Sequence, residues 1–324
     1  MSDGLRGLVR AKVDPGLRGL ARAKINLGLR VGARRPDGFH ELTSIFVRLA
    51  VADELSVSVA GVAPTTDPDA DMLAVVGPRP TPDPADDLVL RAAALLRSHA
   101  ARPLPALAFR LVKRVPVAAG LGGGSADAAA ALTLAATAWG IELDPSDRRA
   151  LAERLGSDVP FFAANVPAAR VEGRGERITP LSAPTRLGLL LVRPPIDLLT
   201  AEVFAAYDAL AAGPPPTSAG APADTGLAPA PRLESAPLPG PGAWQPRELA
   251  ASLREANDLW PAVARLWPEL PTVRERLERD LGRPVLLTGS GPTLVALYPS
   301  LVGAREAAHR VNLPGATVIA TRPA

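Results

Sequence analysis

From Lys24 onward apolar and polar positions alternate, with Ile25, Leu27, Leu29 and Val31 set against Lys24, Asn26, Gly28 and Arg30. Period-two alternation sends the two sets to opposite faces, so this segment reads as a strand with one face buried. The approach to it is duplicated: Gly4-Leu-Arg-Gly-Leu-Val-Arg-Ala-Lys12 is echoed by Gly16-Leu-Arg-Gly-Leu-Ala-Arg-Ala-Lys24. The first copy runs into Val13-Asp14-Pro15, and proline is poorly tolerated inside a sheet. Only the second copy can therefore feed the fold, and residues 1–19 are expected to be a poorly ordered extension.

A polar turn at 34–38 leads to a strand or mixed segment through Val51, and 54–59 alternates again as a second strand. The Pro/Asp-rich stretch 61–86 reads as a loop. Helical spacing follows over 88–100, a strand over 107–112, then a glycine turn and an alanine-rich helix to Trp139, with Gly140 as its stop. Another helix is expected over 145–155. Beyond Arg186 the pattern gives a buried-type strand at 187–192 and a helix at 200–210 with Thr200 as N-cap. Helices near 248–259, 271–281 and 302–311 and strands at 284–287, 293–298 and 315–320 complete an α+β pattern. Residues 211–247 hold ten prolines and five glycines with few charges, a composition that cannot easily bury apolar surface, and are expected to be a disordered insert.

Composition narrows the function. The absence of cysteine removes disulfides, thiolate metal sites and cysteine nucleophiles. No apolar run reaches the roughly 20 residues needed to span a bilayer, and the N-terminus lacks a signal-peptide core. A cytoplasmic protein is expected. The 36 basic residues include only three lysines, Lys12, Lys24 and Lys113, which leaves 33 arginines. Bases scattered among 33 acids form no basic run, so nucleic-acid binding is not expected.

Candidate chemistry centres on Pro116-Val-Ala-Ala-Gly120-Leu121-Gly122-Gly123-Gly124-Ser125, which runs directly into the alanine-rich helix. Glycines can present backbone N–H groups to an anion, and the helix that follows adds its positive end, with Ser125 as the expected N-cap. A Walker loop would need Lys-Ser or Lys-Thr after the last glycine, a dinucleotide fingerprint would need glycine where Ser125 stands, and no protein-kinase motif set is present. Lys24 and Asn26 share one strand face. A lysine there is either a solvated group or a compact ammonium kept against the arginine bias for close approach to a phosphoryl group. Asp158 in Gly156-Ser157-Asp158-Val-Pro160 is either a turn or cap residue or a partner for a substrate hydroxyl. Gly289-Ser290-Gly291 is either a tight turn or a site wall.

Taken in order, Lys24-Ile-Asn26, Asp37-Gly-Phe39-His40, the glycine loop, Gly156-Ser-Asp158-Val-Pro160 and Thr288-Gly-Ser-Gly resemble the GHMP kinases. Within that superfamily the chain is similar to the kinases of 4-diphosphocytidyl-2-C-methyl-D-erythritol in the non-mevalonate isoprenoid pathway. The resemblance covers about residues 20–205 and 250–321, and the Asp-Gly-Phe-His and Gly-Ser-Asp-Val-Pro segments discriminate more finely than the glycine loop.

The resemblance implies an α+β two-domain fold, with a ribosomal-protein-like βαβ domain over 20–183 that cradles ATP and a ferredoxin-like domain over 184–324 that closes the acceptor site. It implies an ATP-dependent kinase with Mg²⁺ that phosphorylates the acceptor's 2-hydroxyl, with Lys24 and Asp158 catalytic. Pro116, Gly120, Leu121, Gly122, Gly123, Gly124 and Ser125 would bind ATP, helped by Lys113, Asp87 and Leu88; asparagine is usual where Asp87 stands. Asn26, Thr200, Gly289 and Ser290 would contact the acceptor, whose cytosine would lie between Phe39 and Phe204 beside His40. Tyrosine is frequent at position 39, so stacking persists here without a hydroxyl. No dedicated metal-ligand cluster is apparent, and the ion is expected to be held by ATP and water, touched by Ser125. Another acceptor in the superfamily (mevalonate, homoserine or a sugar), a catalytically silent binding protein and an RNA-binding protein are the competing readings.

Overall fold

In the computed structural model, which describes residues 17–60, 63–78, 86–182, 184–212 and 245–324, the first alternating segment lies within a longer strand, β1 (Leu17–Arg34). The strand starts inside the expected extension, because Leu17–Gly19 already pair with Leu55–Val57; residues 1–16 lie outside the described residues. The 34–38 turn joins β1 to β2 (His40–Val59), one 20-residue strand where the sequence suggested a mixed segment and a separate strand. β2 organises the first sheet. It pairs with β1, with β4 (Leu107–Val112) through Glu54–Val59, and with β5 (Ala168–Gly173) through Leu42–Val47, all antiparallel.

The loop expected over 61–86 contains a short strand, β3 (Met72–Val76), parallel to β4. Its exposed Met72 and Val76 and five-residue length make it a weak signal among the prolines. Helices α1 (Leu88–Ala100), α2 (Gly123–Trp139) and α3 (Pro145–Leu155) follow the expected spans. Then come α4 (Val159–Ala163), β5 and β6 (Arg177–Leu181), in a stretch where no element was expected from the sequence. Leu96, Leu132 and Phe161 are fully buried where these helices cover the sheet, each contributing about 1.5–3 kcal/mol by removal from water.

The second sheet has the antiparallel order β10 (Thr317–Thr321), β7 (Gly188–Arg193), β9 (Leu294–Tyr298), β8 (Val285–Leu287). Its helices are α5 (Thr200–Ala211), α6 (Pro246–Leu253), α7 (Trp260–Leu266), α8 (Leu270–Leu281) and α9 (Leu301–Ala308). The helix expected over 248–259 stops early, at Leu253; residues 254–259, where Asp258 accepts from Val31 N of β1, are not helical, and α7 begins only after them. Thr200 does not cap α5; Leu199 occupies the cap, and Thr200 Oγ1 instead meets Ser290 Oγ at 3.0 Å. Of the insert expected over 211–247, both ends are helical and 213–244 lie outside the described residues.

The two sheets meet through a third core, where Ala23, Ile25, Leu27, Val47 and Leu49 pack on Leu189, Leu191, Val295 and Leu297. Leu190 and Val192 point the other way into the helices, which explains why β7 is an unbroken apolar run. β1 departs from the half-buried expectation: the polar set is buried too, with Lys24 and Asn26 each 4% exposed.

Buried charge fixes the base of the glycine loop. Asp53 Oδ1 accepts from the backbone N–H of Arg114 at 2.5 Å and of Val115 at 2.8 Å, and Oδ2 accepts from Lys113 Nζ at 2.5 Å. Lys113 Nζ also donates to Asp127 Oδ2, in the first turns of α2, at 2.8 Å. Two carboxylates and one ammonium leave a net negative charge out of water, a costly arrangement unless a proton is retained. Burial, with Asp53 adding to it against the attraction of Lys113, pushes the Asp127 carboxyl up to about 7. In the range from about 4 to about 7 the folded chain therefore binds more protons than the unfolded chain, so this group's stabilisation is present at low pH and lost as pH rises. The melting temperature of wild type relative to Asp127→Asn should fall between pH 5 and 8, by roughly 2–4 °C per kcal/mol lost; a pH-independent difference would contradict this assignment.

Candidate active site

Between the two sheets lies a cleft of about 810 Å³. It is lined by every site residue expected from the sequence except Asp87. Asp87 instead caps α1, accepting from Val89 N at 2.9 Å, while its neighbour Leu88 faces the cleft.

Lys24 stands at the centre, and its position follows from strand pairing. Its backbone N–H donates to Leu121 O at 2.9 Å, tying β1 to the glycine loop. Its ammonium donates to Asn26 Oδ1 at 2.7 Å and lies 3.2 Å from Asp158 Oδ2. It also sits 4.6 Å from the centroid of the Phe46 ring, a favourable place for a cation. Asn26 is oriented from behind: its Nδ2 donates to Ser44 Oγ at 2.9 Å, and Ser44 Oγ donates to Gly28 O at 2.6 Å. That relay aims the amide oxygen of Asn26 at Lys24. The lysine is therefore not a solvated surface group.

Asp158 opens α4 at the N-cap position, yet its side chain caps nothing. With 30% of the side chain exposed, the carboxylate reaches across to Lys24 and retains an open side toward the cleft. The turn-or-cap reading thus fails on geometry, although the position is a cap. A short ammonium–carboxylate contact facing a cavity can hold a hydroxyl and stabilise charge that develops on a phosphoryl oxygen.

The glycine loop passes over Lys24 and enters α2 through Gly122, whose left-handed backbone (φ 68°) makes it the N-cap. Ser125 is correspondingly within the first turn rather than at the cap. Its hydroxyl is not used in capping and lines the cleft beside the free N–H groups of the helix start. A side chain on Gly120 would place Cβ 2.8 Å from Gly291 O and 2.9 Å from Thr288 O, so the loop lies directly against the second turn. Thr288 Oγ1 accepts from Asn26 N at 2.8 Å, and Asn257 Nδ2 donates to Leu287 O at 3.1 Å and Gly289 O at 2.9 Å. Gly289 and Ser290 are consequently both a tight turn and a cleft wall. Lys113 borders the cleft, but its ammonium is taken up by Asp53 and Asp127.

At the other end of the cleft His40 is held on three sides. Its ring stacks on Phe204 with centroids 5.4 Å apart and planes at 26°, meets the edge of Tyr207 at 5.9 Å, and bonds Asp208 Oδ1 through Nε2 at 2.8 Å. With the carboxylate ionised, Nε2 carries the proton. The 5.4 Å spacing leaves no room for a base between His40 and Phe204. Phe39, by contrast, is 46% exposed at the cleft mouth and stacks on no other aromatic ring among the described residues.

Several working parts were not picked out from the sequence: Ser44, Phe46, Asp53, Asp127, Arg174, Asp208 and Asn257. Some left a signal. Asp53 lies in phase with Leu55 and Val57, and an acid on the apolar face of a strand needs a buried partner.

Comparison with known proteins identifies the family. Residues 87–166 match the GHMP kinases N terminal domain and 245–317 the GHMP kinases C terminal domain. The chain is 37% identical over 291 residues to 4-diphosphocytidyl-2-C-methyl-D-erythritol kinase of Pelotomaculum thermopropionicum, covering 89% of this chain and 91% of the relative. It is 40% identical over 289 residues to the kinase of that name from Gluconacetobacter diazotrophicus, covering 88% of each. A crystal structure of 4-(cytidine 5'-diphospho)-2C-methyl-D-erythritol kinase superposes with TM-score 0.66 at 32% identity, covering 95% of this chain and 100% of that one. Methanococcus jannaschii mevalonate kinase shares the fold at TM-score 0.63 but only 10% identity, covering 97% of this chain and 100% of that one. With this extent of identity over nearly the whole chain, the protein belongs to the 4-diphosphocytidyl-2-C-methyl-D-erythritol kinase family of GHMP kinases.

Proposed function

We propose that this chain transfers the γ-phosphate of ATP to the 2-hydroxyl of 4-diphosphocytidyl-2-C-methyl-D-erythritol, the acceptor that the names of its relatives carry. The observation that carries the reading is the Lys24–Asp158 contact of 3.2 Å, facing the cleft directly beneath the glycine loop. The halves 20–183 and 184–324 act as nucleotide and acceptor domains. Pro116 and the 120–125 loop hold the phosphates through backbone N–H groups and the start of α2, with Leu88 beside the nucleotide. Lys113 acts from beneath, as a buried tie for the loop. Asp87 acts through the α1 cap.

Asn26, Thr200, Gly289 and Ser290 border the erythritol part, and the base stacks at Phe39 and Phe204. In the reaction the acceptor oxygen forms a bond to Pγ as the bond from Pγ to the β-phosphate bridging oxygen breaks, and ADP leaves. The hydroxyl proton passes to Asp158, and Lys24 stabilises charge on the transferring group. Because such transition states are loose, alignment matters more than base strength.

Magnesium fits this donor set as an ion carried by the triphosphate. Among the described residues no three His, Asp or Glu side chains gather to cage a metal, while the Ser125 hydroxyl is available at the phosphate end. When bound, the ion supplies charge neutralisation of the triphosphate. Among the described residues no helix is long and apolar enough to cross a membrane. Consumption of ATP points to the cytoplasm, with no nucleic-acid partner.

ADP formation should depend on the cytidine-diphospho acceptor and stay at background with mevalonate, homoserine or no acceptor. Acceptor-independent binding without turnover would instead indicate a silent relative. Asp158→Asn should lower kcat by about 10²-fold or more with ATP affinity retained; near-normal kcat would overturn the role of Asp158.

A further inference from the structure

The hairpin between β5 and β6 carries the run Gly173-Arg174-Gly175-Glu176, whose arginine has no place in the chemistry described so far. Both glycines have positive φ, 76° and 132°. A Cβ on Gly175 would fall 2.0 Å from Ser157 O, so the hairpin tip is pressed onto the residue that precedes Asp158. Glu176 folds back to accept from the backbone N–H of Arg174 at 2.7 Å. The tip is thereby fixed, and it sends a half-buried arginine into the cleft, where its guanidinium lies 5.4 Å from the centroid of the Phe39 ring.

One hairpin therefore touches both ends of the acceptor site, the aromatic mouth through Arg174 and the reacting end through Gly175. In the acceptor the cytidine and the erythritol are joined by a diphosphate, which must span the distance between those ends. Anionic oxygens there need a cation, and most cleft cations are engaged. Lys24 serves Asp158 and Asn26, and Lys113 is enclosed by Asp53 and Asp127. Among the described residues the guanidinium of Arg174 has neither a hydrogen bond nor a carboxylate within ion-pair distance. Asp37, which senses its charge, already pairs with Arg35 at 3.2 Å. Arg34 also borders the cleft, but it turns back to Gly38 O at 3.4 Å.

We infer that Arg174 forms a subsite for the diphosphate of the acceptor, held in place by the glycine-flanked hairpin and by the face of Phe39. The inference rests on the acceptor proposed above. A guanidinium suits the task because its planar fork can meet two phosphate oxygens at once while its face remains on an aromatic ring.

Calorimetric titration of CDP and of cytidine into wild type, Arg174→Ala and Arg174→Lys separates phosphate recognition from base recognition. Loss of a charge-assisted contact should weaken CDP binding to Arg174→Ala by about tenfold or more, with cytidine changed by less than about twofold and Arg174→Lys in between. KM for the full acceptor should rise in parallel, with KM for ATP unchanged. Equal losses for CDP and cytidine would show that Arg174 acts on the base or on the hairpin, and no loss for either would remove the subsite; both outcomes overturn the inference while leaving wild-type turnover intact. Failure of folded wild type to phosphorylate the acceptor would overturn the functional reading itself.

Discussion

Two glycine turns far apart in sequence meet backbone to backbone, and the site depends on that approach. Gly120 fits only because nothing larger than hydrogen separates it from Thr288 O and Gly291 O. β1 runs beneath the contact, with Lys24 N bonded to the first turn at Leu121 O and Asn26 N bonded to the second at Thr288 Oγ1. The strand thus locks the glycine loop to the second turn at the position where its one lysine stands. Any side chain at position 120 would push the two sheets apart at their shared core, and close backbone approach of this kind is what glycine uniquely permits.

Around this seam the protein buries charge and keeps it paired. The Asp53–Lys113–Asp127 group anchors the loop's entry and the helix beyond it. A separate pair, Arg97 with Asp71 at 2.7 Å, ties α1 to the chain before β3, where Arg97 also donates to Thr65 O, and a further bond reaches Leu104 O in the loop before β4. Breaking one member of such a pair strands the other without water, which makes these positions sensitive even though a pair contributes little net stability. The Lys24–Asp158 contact differs in kind: Lys24 is buried, but Asp158 retains solvent exposure on the cleft side.

Much of this was legible in the sequence because local rules and tertiary needs coincide there. The alternation after Lys24, the helical spacing of 88–100 and the run from glycine turn to alanine helix correspond to β1, α1 and α2. The candidate site residues other than Asp87 line one cleft, and strand periodicity had already placed Lys24 and Asn26 on one face. Other features depend on partners that periodicity does not see. β1 is buried on both faces because a second sheet and a loop cover it, and β7 reads as apolar throughout for the same reason. Ser125 has the chemistry of a cap, but the helix begins two residues earlier, at Gly123. β3 and β5 are short segments stabilised by pairing with strands distant in sequence, β6 is held by its hairpin with β5, and α4 is a single short turn of five residues. The aromatic end was only half legible. Phe39, His40 and Phe204 do share the cleft mouth, but His40 is stacked on Phe204 and tethered to Asp208, leaving Phe39 as the exposed ring.

Membership of the kinase family and the Lys24–Asp158 contact support the transfer proposed above, from a nucleotide under the glycine loop to a hydroxyl beside Asp158. The most direct test is ³¹P NMR of the protein with ATP and 4-diphosphocytidyl-2-C-methyl-D-erythritol. The account predicts the signals of ADP, one new phosphomonoester signal on the acceptor, and an acceptor diphosphate that stays intact. Conversion of ATP to ADP and inorganic phosphate with no monoester on the acceptor would contradict it.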